Sequence, residues 1–440
     1  MKKVSLTSLG CSKNLVDAEE MMGLLEDNGF ELVADEEDAD IMIVNTCAFI
    51  DDAKQESIDC IMDHIEYKKQ DSSRILVVTG CMSQRYKEEI LTEIPEVDIV
   101  VGTNDYGRLA EIIKSYTKER SEIYCSDVLS GEKPMRRVVT TPSYMAYLKI
   151  AEGCDNHCTY CIIPSIRGKY RSRTIEDIVA EAKTLAEKGV RELVVIAQDT
   201  TRYGMDIYGE YSLPRLLNEL CEIDGIHWIR LHYCYPELVT DELIDTVAKQ
   251  EKVCNYFDIP IQHCNDRILK LMGRKTNKAE ITALIKKLRE RIPDAVIRTT
   301  LIAGFPGETE EEFDELREFV TDAEFDRLGV FAYSQEEGTA AARLDGQLDE
   351  EEKKNRQEII MIDQAAVSEE LNSKKVGKCF EVLVEGYDNL IKMYFGRTYG
   401  DSEEIDGKVF FTSKRKLAPG EFAEVKINDY MEYDLYGQVR

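Results

Sequence analysis

Twice along this 440-residue chain, short apolar runs alternate with amphipathic stretches, and that alternation confines it to α/β architecture built on parallel sheets. In the first run, strands are expected at Lys3–Leu9, Asp40–Asn45, Arg74–Thr79 and Asp98–Val101. Helical periodicity fits Leu15–Asn28, Asp52–Lys69 and Ser83–Ile94 between them, which predicts an open parallel sheet. The second run offers six strands, at Met145–Ile150, Glu192–Ala197, Trp228–His232, Tyr256–Ile261, Ala295–Ala303 and Leu328–Tyr333. Six β/α units are fewer than the eight that close a full barrel, so an open partial (β/α)6 barrel with a wide mouth is expected. One charged helix should run from Asp349 to Lys375. After Val376 the segments FEVLVEGYD, IKMYFGRTYG, KVFFTS and EFAEVKI alternate apolar and polar residues between glycines. That pattern predicts a small five-strand antiparallel barrel of oligonucleotide-binding size. The expected organisation is an N-terminal domain over 1–130, a linker over 131–142 within the turn-rich stretch Ser126–Pro142 (Gly131, Pro134, Pro142), a partial barrel with its connecting helix over 143–372, and a terminal barrel over 373–440.

The cysteines fall on this frame in two triplets. Cys11, Cys47 and Cys81, separated by 36 and 34 residues, each follow one of the first three strands. The crevice beyond the carboxyl ends of an open parallel sheet is where ligands bind, so the three can converge there on an auxiliary cluster. The alternative is three small residues packed at strand ends. The second triplet, Cys154, Cys158 and Cys161 in AEGCDNHCTYCIIP, follows the first barrel strand at the face where barrel chemistry occurs. Clusters of four irons normally take four cysteines, and three thiolates leave one iron open to a substrate or cofactor. This C-x3-C-x2-C spacing resembles that of radical S-adenosylmethionine enzymes. In those, the methionine amino and carboxylate groups chelate the open iron, and reductive cleavage yields a 5′-deoxyadenosyl radical. A zinc site completed by His157 is the other reading of the triplet.

Thirteen cysteines in a long enzyme-like chain read as reduced thiols and metal ligands rather than a disulfide framework, which points to the cytoplasm. The start, MKKVSLTSLGC, imitates a lipoprotein signal, but seven residues between Lys3 and Cys11 are too few for an apolar core and cleavage site. No stretch approaches membrane-spanning length, and no membrane partner is expected. The net charge of −29 disfavours nucleic acid and favours a basic partner, although acidity can also serve solubility alone. Residues 371–440 carry eleven Lys/Arg against twelve Asp/Glu, a net −1, where an RNA-gripping barrel should be distinctly basic. The acidic, aromatic run Asp429-Tyr430-Met431-Glu432-Tyr433-Asp434 suits a basic protein loop; its other reading is a solvated terminus.

Nearly the whole chain resembles the radical methylthiotransferases, on SLGCSKNLVDAE, IVNTCAFI, VVTGCMSQRY, YLKIAEGCDNHCTYCIIPSIRG and TLIAGFPGETEEEF. The resemblance implies an N-terminal domain holding an auxiliary cluster on Cys11, Cys47 and Cys81. It implies a radical barrel holding a second cluster on Cys154, Cys158 and Cys161, and a C-terminal TRAM domain. Two four-iron four-sulfur clusters and S-adenosylmethionine, used both as methyl donor and as radical source, are the implied cofactors. Tyr160 matches the family's aromatic position beside the adenine. Gly304, Phe305, Pro306 and Gly307 match its glycine-rich turn at the cofactor, which as a lone turn would be structural. One branch of the family modifies an adenosine of transfer RNA. The other places a methylthio group on the β-carbon of an aspartate in the twelfth protein of the small ribosomal subunit. SLGCSKNLVD, AQDT, YSQEEGT and MEYDLYG resemble the second branch. That implies a ribosomal protein substrate, an external electron donor and a sulfur donor, with no direct nucleic-acid substrate. Asp17, Gln198, Asp199 and Arg202 are candidate cavity residues or, equally, strand-end and helix-cap groups. Cys60, Cys125, Cys221, Cys234, Cys254, Cys264 and Cys379 are expected to be structural, and His157 a polar loop residue. Removing Val376–Arg440 is expected to impair target recognition while sparing the clusters.

Overall fold

The computed structural model describes residues 1–127 and 136–440. The linker positions 131–135, with Gly131 and Pro134, lie outside the described residues. The chain divides into two compact bodies. The first comprises Met1–Thr141, Ala151–Arg171 and Glu336–Thr339, and the second Pro142–Ile150, Ser172–Gln335 and Ala340–Arg440.

The first body is built on a six-strand parallel sheet: β1 (Lys3–Ser8), β2 (Glu31–Leu32), β3 (Ile41–Thr46), β4 (Ile75–Gly80), β5 (Ile99–Val101) and β6 (Glu122–Tyr124), in the order β2-β1-β3-β4-β5-β6. Four of these are the expected strands, and the two edges are additional. Residues two apart on a strand face the same side, and the apolar content divides accordingly. Ile41, Ile43, Ile75, Val77, Ile99 and Val101 enter one core with Met21 and Leu25 of α1 (Ser12–Asp27). Met42, Val44, Leu76, Val78 and Val100 enter the other with Ile61 and Ile65 of α2 (Asp51–Gln70). The single helix expected over Ser83–Ile94 is two, α3 (Cys81–Tyr86) and α4 (Glu88–Glu93), because Lys87 adopts a positive φ of 38° that no helix continues through.

Two short strands, β8 (Ala151–Glu152) and β9 (Arg171–Ser172), flank the second cysteine triplet in the sequence. The second body holds six parallel strands: β7 (Met145–Lys149), β10 (Glu192–Ile196), β11 (Trp228–Leu231), β12 (Val253–Asp258), β13 (Val296–Ala303) and β14 (Arg327–Ala332). They pair in sequence order with β7 and β14 at the edges, the open six-strand partial barrel expected. The fourth strand begins three residues earlier than its sequence pattern suggests and buries Cys254. The charged helix runs Glu350–Ser373, opened by an Asp349 cap whose carboxylate accepts from the Glu352 N–H.

The terminal barrel is closed by β15 (Cys379–Asp388), β16 (Met393–Arg397), β17 (Val409–Thr412), β19 (Leu435–Val439) and β18 (Phe422–Tyr430) around Val382, Val384, Phe411, Val425 and Ile427. Four of its pairings are antiparallel as expected, whereas β17 and β19 pair in parallel. Arg397 at the end of β16 and the loop 398–406 meet the partial barrel through buried charge. Glu192 receives Arg230 Nε at 2.8 Å and Arg397 Nη2 at 2.7 Å, Asp401 receives Arg327, and Asp406 receives the Tyr256 hydroxyl at 2.7 Å. Burial alone would raise the Glu192 carboxyl pKa, but Arg397 and Arg230 together hold it down to about 2.

Glu403 in the same loop behaves oppositely. Burial, with Glu385, Glu192 and Glu404 nearby, pushes its pKa up to about 7 against the pull of Arg397. A carboxyl raised in the fold stabilises below its unfolded pKa and loses that contribution as pH rises through the folded value. The Glu403→Gln chain is therefore expected to match wild type below pH 4 and to exceed it by about 1–3 kcal/mol above pH 7.5. Denaturation midpoints at the two pH values check this.

Candidate cluster-binding site

Both cysteine triplets lie in the first body. Cys11 caps the N-terminus of α1 and is exposed, Cys47 directly follows β3, and Cys81 is the first residue of α3 behind β4. Their loops are stitched together by amides. Asn14 Nδ2 donates to the Leu9 carbonyl at 2.7 Å and to those of Asn45 and Thr46 at 3.4 and 3.3 Å, while Asn45 Nδ2 donates to the Asn14 carbonyl at 2.8 Å. Ser57 closes the Cys47 turn: its Oγ accepts from the Cys47 N–H and donates to the Cys47 carbonyl, both at 3.0 Å. Gly80 has a φ of 95°, and a Cβ there would stand 2.4 Å from the Thr46 carbonyl oxygen. Only glycine lets β4 run this close to β3 before Cys81.

The three sulfurs act on one another. Burial pushes the Cys81 thiol up to about 12, Arg167 opposes it, and Cys11 and Cys47 add to it. The Cys47 thiol is likewise raised, by burial first and by Cys11 in smaller part.

Cys154 and Cys158 are buried, and Cys161 closes a tight turn by donating its N–H to the Cys158 carbonyl at 3.1 Å. The Asn156 N–H points at Cys154 Sγ from 3.4 Å, and the Cys154 N–H donates to the Gly168 carbonyl at 3.1 Å. The Cys161 thiol is pushed up to about 12 by burial, with Cys158 and Cys154 contributing. His157 is exposed and Tyr160 half-buried. What fixes this loop is apolar: Ile162 and Ile166 pack into the same core as Cys81, Met82, Val44 and Ala48.

Among the described residues, no three His, Cys, Asp or Glu side chains are drawn together as a single metal ion requires. A four-iron cluster binds each thiolate through a different iron, and so asks for a looser triangle. N–H groups aimed at Cys154 and Cys81 suit sulfur that carries negative charge when ligated. The residues present therefore fit such a group.

Arg167 is the residue that sequence reasoning missed. It ends α5 (Ile163–Arg167), is 3 % exposed, and contacts Asp17, Asn14 Oδ1 at 3.1 Å and Cys81 Sγ at 3.3 Å, with Glu152 at 3.4 Å. Burial opposes its charge, but Asp17, Cys81 and Glu152 keep the guanidinium pKa well above its usual value. Nothing in the periodicity marks it; its only signal is the position six residues beyond Cys161.

Asp17 is buried against Arg167. Asp199 accepts from its own loop, at the Thr201 hydroxyl (2.6 Å) and the Arg202 N–H (3.2 Å). Gln198 and Arg202 are half-buried. The turn Gly304-Phe305-Pro306-Gly307 follows β13 in the second body. Both glycines have positive φ, Phe305 is buried edge-on to Tyr333, and a Cβ at Gly304 would meet the Lys353 side chain at 2.7 Å. Cys60, Cys125, Cys221, Cys234, Cys254, Cys264 and Cys379 form no disulfide.

Residues 3–102 match the uncharacterized protein family UPF0004, residues 148–320 the radical SAM superfamily, and residues 376–439 the TRAM domain. A "Ribosomal protein uS12 methylthiotransferase RimO" of Clostridioides difficile is 55% identical over 442 residues, covering 100% of this chain and 99% of the relative. The chain belongs to the ribosomal protein uS12 methylthiotransferase family. Relatives of the same name in Lachnoclostridium phytofermentans and a Thermoanaerobacter species are 53% and 49% identical, covering 99% and 100% of both chains respectively. Among solved structures, the radical S-adenosylmethionine methyltransferase TsrM of Kitasatospora setae, with cobalamin and a [4Fe-4S] cluster bound, shares the fold. Its TM-score is 0.56 at 16% identity, covering 76% of this chain and 73% of that one. The uS12 methylthiotransferase family thus spans this chain from its first sheet to its terminal barrel. Among the described residues, no helix is long and apolar enough to cross a membrane.

Proposed function

We propose that this chain is a cytoplasmic enzyme that adds a methylthio group to the β-carbon of an aspartate in small-subunit ribosomal protein uS12. Cys11, Cys47 and Cys81 would hold an auxiliary four-iron four-sulfur cluster, and Cys154, Cys158 and Cys161 the radical one. When bound, these groups supply one-electron reduction of one S-adenosylmethionine and an iron-held sulfur that accepts the methyl group of another. The observation that carries the reading is that both triplets belong to one compact body and share one core, through Cys81, Ile162 and Ile166.

The chain's own residues hold that arrangement. Asn14, Asn45 and Ser57 fix the three loops of the first triplet, and Arg167 spans from the second triplet's loop to Cys81. Tyr160, beside Cys161 in the same body as both triplets, is assigned to the S-adenosylmethionine adenine. Removing hydrogen from carbon requires no general base, and none is assigned. Substrate choice is supported by the near-neutral terminal barrel. Its Met431–Asp434 turn has an exposed Met431 and Tyr433, and Asn372 pins its backbone by donating to the Met431 and Glu432 carbonyls at 3.1 Å. Anaerobically reconstituted protein given a low-potential reductant and S-adenosylmethionine is expected to form 5′-deoxyadenosine. A full iron load without that product refutes the enzymatic reading.

A further inference from the structure

We propose that Arg167 is a positioning residue that sets the reduction potential of the auxiliary cluster through its N–H donation to Cys81 sulfur. The inference rests on the assignment of Cys11, Cys47 and Cys81 as cluster ligands. The guanidinium is buried, and its Nη2 lies 3.3 Å from Cys81 Sγ and 3.1 Å from Asn14 Oδ1. The Asn14 amide holds the Cys11 and Cys47 loops, so one cation reaches all three ligand-bearing segments. Thr103 Oγ1 donates to the Ile166 carbonyl at 3.0 Å, and Ile166 is buried, so the end of α5 that carries Arg167 is fixed.

A reduced cluster carries one more negative charge than an oxidised one, and that charge resides largely on sulfur. An N–H donor and a positive charge at a ligand sulfur therefore favour the reduced state, the lever by which hydrogen bonds tune such centres. Asp17 works against it. Its carboxylate pairs with Nη1, the other arm of the same guanidinium, and offsets part of the charge that reaches the sulfur. The two residues should thus move the potential in opposite directions. A merely structural pair would show no such opposition, because loss of either partner would loosen the same contact.

Losing one hydrogen bond to a charged group shifts the equilibrium it favours on the order of tenfold. Arg167→Gln is accordingly expected to lower the one-electron reduction equilibrium of the auxiliary cluster about tenfold, which is about 59 mV more negative. Arg167→Lys should fall between the two, keeping charge but losing the fork. Asp17→Asn should shift the potential positively. Redox titrations followed by electron paramagnetic resonance read this on the anaerobically reconstituted full chain. The auxiliary transition is identified as the one that persists in a Cys154→Ala, Cys158→Ala, Cys161→Ala chain. Should Arg167→Gln fail to retain iron, the sign of the Asp17→Asn shift decides. Two clusters present with the auxiliary potential unmoved, or with both variants shifting the same way, overturns the role of Arg167. A wild type that binds one cluster overturns the ligand assignment instead.

Discussion

Replacing Cys154, Cys158 and Cys161 with alanine should abolish 5′-deoxyadenosine formation and remove about half of the reconstituted iron. Replacing Cys11, Cys47 and Cys81 should remove the other half and all methylthio transfer, while uncoupled cleavage of S-adenosylmethionine remains measurable. The asymmetry follows from the division of labour. The C-x3-C-x2-C loop is closed by its own turns, with Cys161 on Cys158 and Cys154 on Gly168. The first triplet is assembled from three separate strand ends held by Asn14 and Asn45. Iron and acid-labile sulfide analysis with product chromatography checks both chains. Loss of cleavage in both, with iron halved in each, would mean that the two sites are not separable.

Glu192→Ala should destabilise the second body by about 3–5 kcal/mol, because it leaves Arg230 and Arg397 buried without their shared carboxylate. A denaturant midpoint within about 1 kcal/mol of wild type would contradict this. The same network bears on removal of Val376–Arg440, which the sequence suggests would impair target recognition while sparing the clusters. Truncation there strips Arg397, Asp401 and Asp406 away from Glu192, Arg327 and Tyr256. The expected product is a partial barrel with exposed, unpaired charges that misfolds, so substrate recognition must be tested by point changes on the outer surface of the terminal barrel.

The sheets are legible wherever strands are buried on both faces, as Ile41–Thr46 and Ile75–Gly80 are, since short β-branched apolar runs read as strands of a covered parallel sheet. The edges were not. Glu31–Leu32 and Glu122–Tyr124 are two and three residues long, half-exposed, and defined by a neighbour's backbone rather than by their own composition. The break at Lys87 and the parallel β17–β19 pairing are likewise tertiary outcomes that residue type does not encode. For the proposed site, spacing and strand-end position single out the six cysteines, because cluster ligation calls for that residue type. Arg167 was invisible for the converse reason: it works through burial and aim, and an arginine in SIRG reads as an ordinary surface cation until Asp17, Asn14 and Cys81 are seen around it.

One anaerobic assay tests the identity of the substrate most directly. Reconstituted protein, reductant, sulfide and S-adenosylmethionine are offered isolated ribosomal protein uS12, intact small subunits and hypomodified transfer RNA in parallel. Mass spectrometry is expected to find a gain of about 46 daltons, a methylthio group in place of hydrogen, on a single aspartate of the ribosomal protein. A methylthiolated adenosine beside an unmodified ribosomal protein would contradict it.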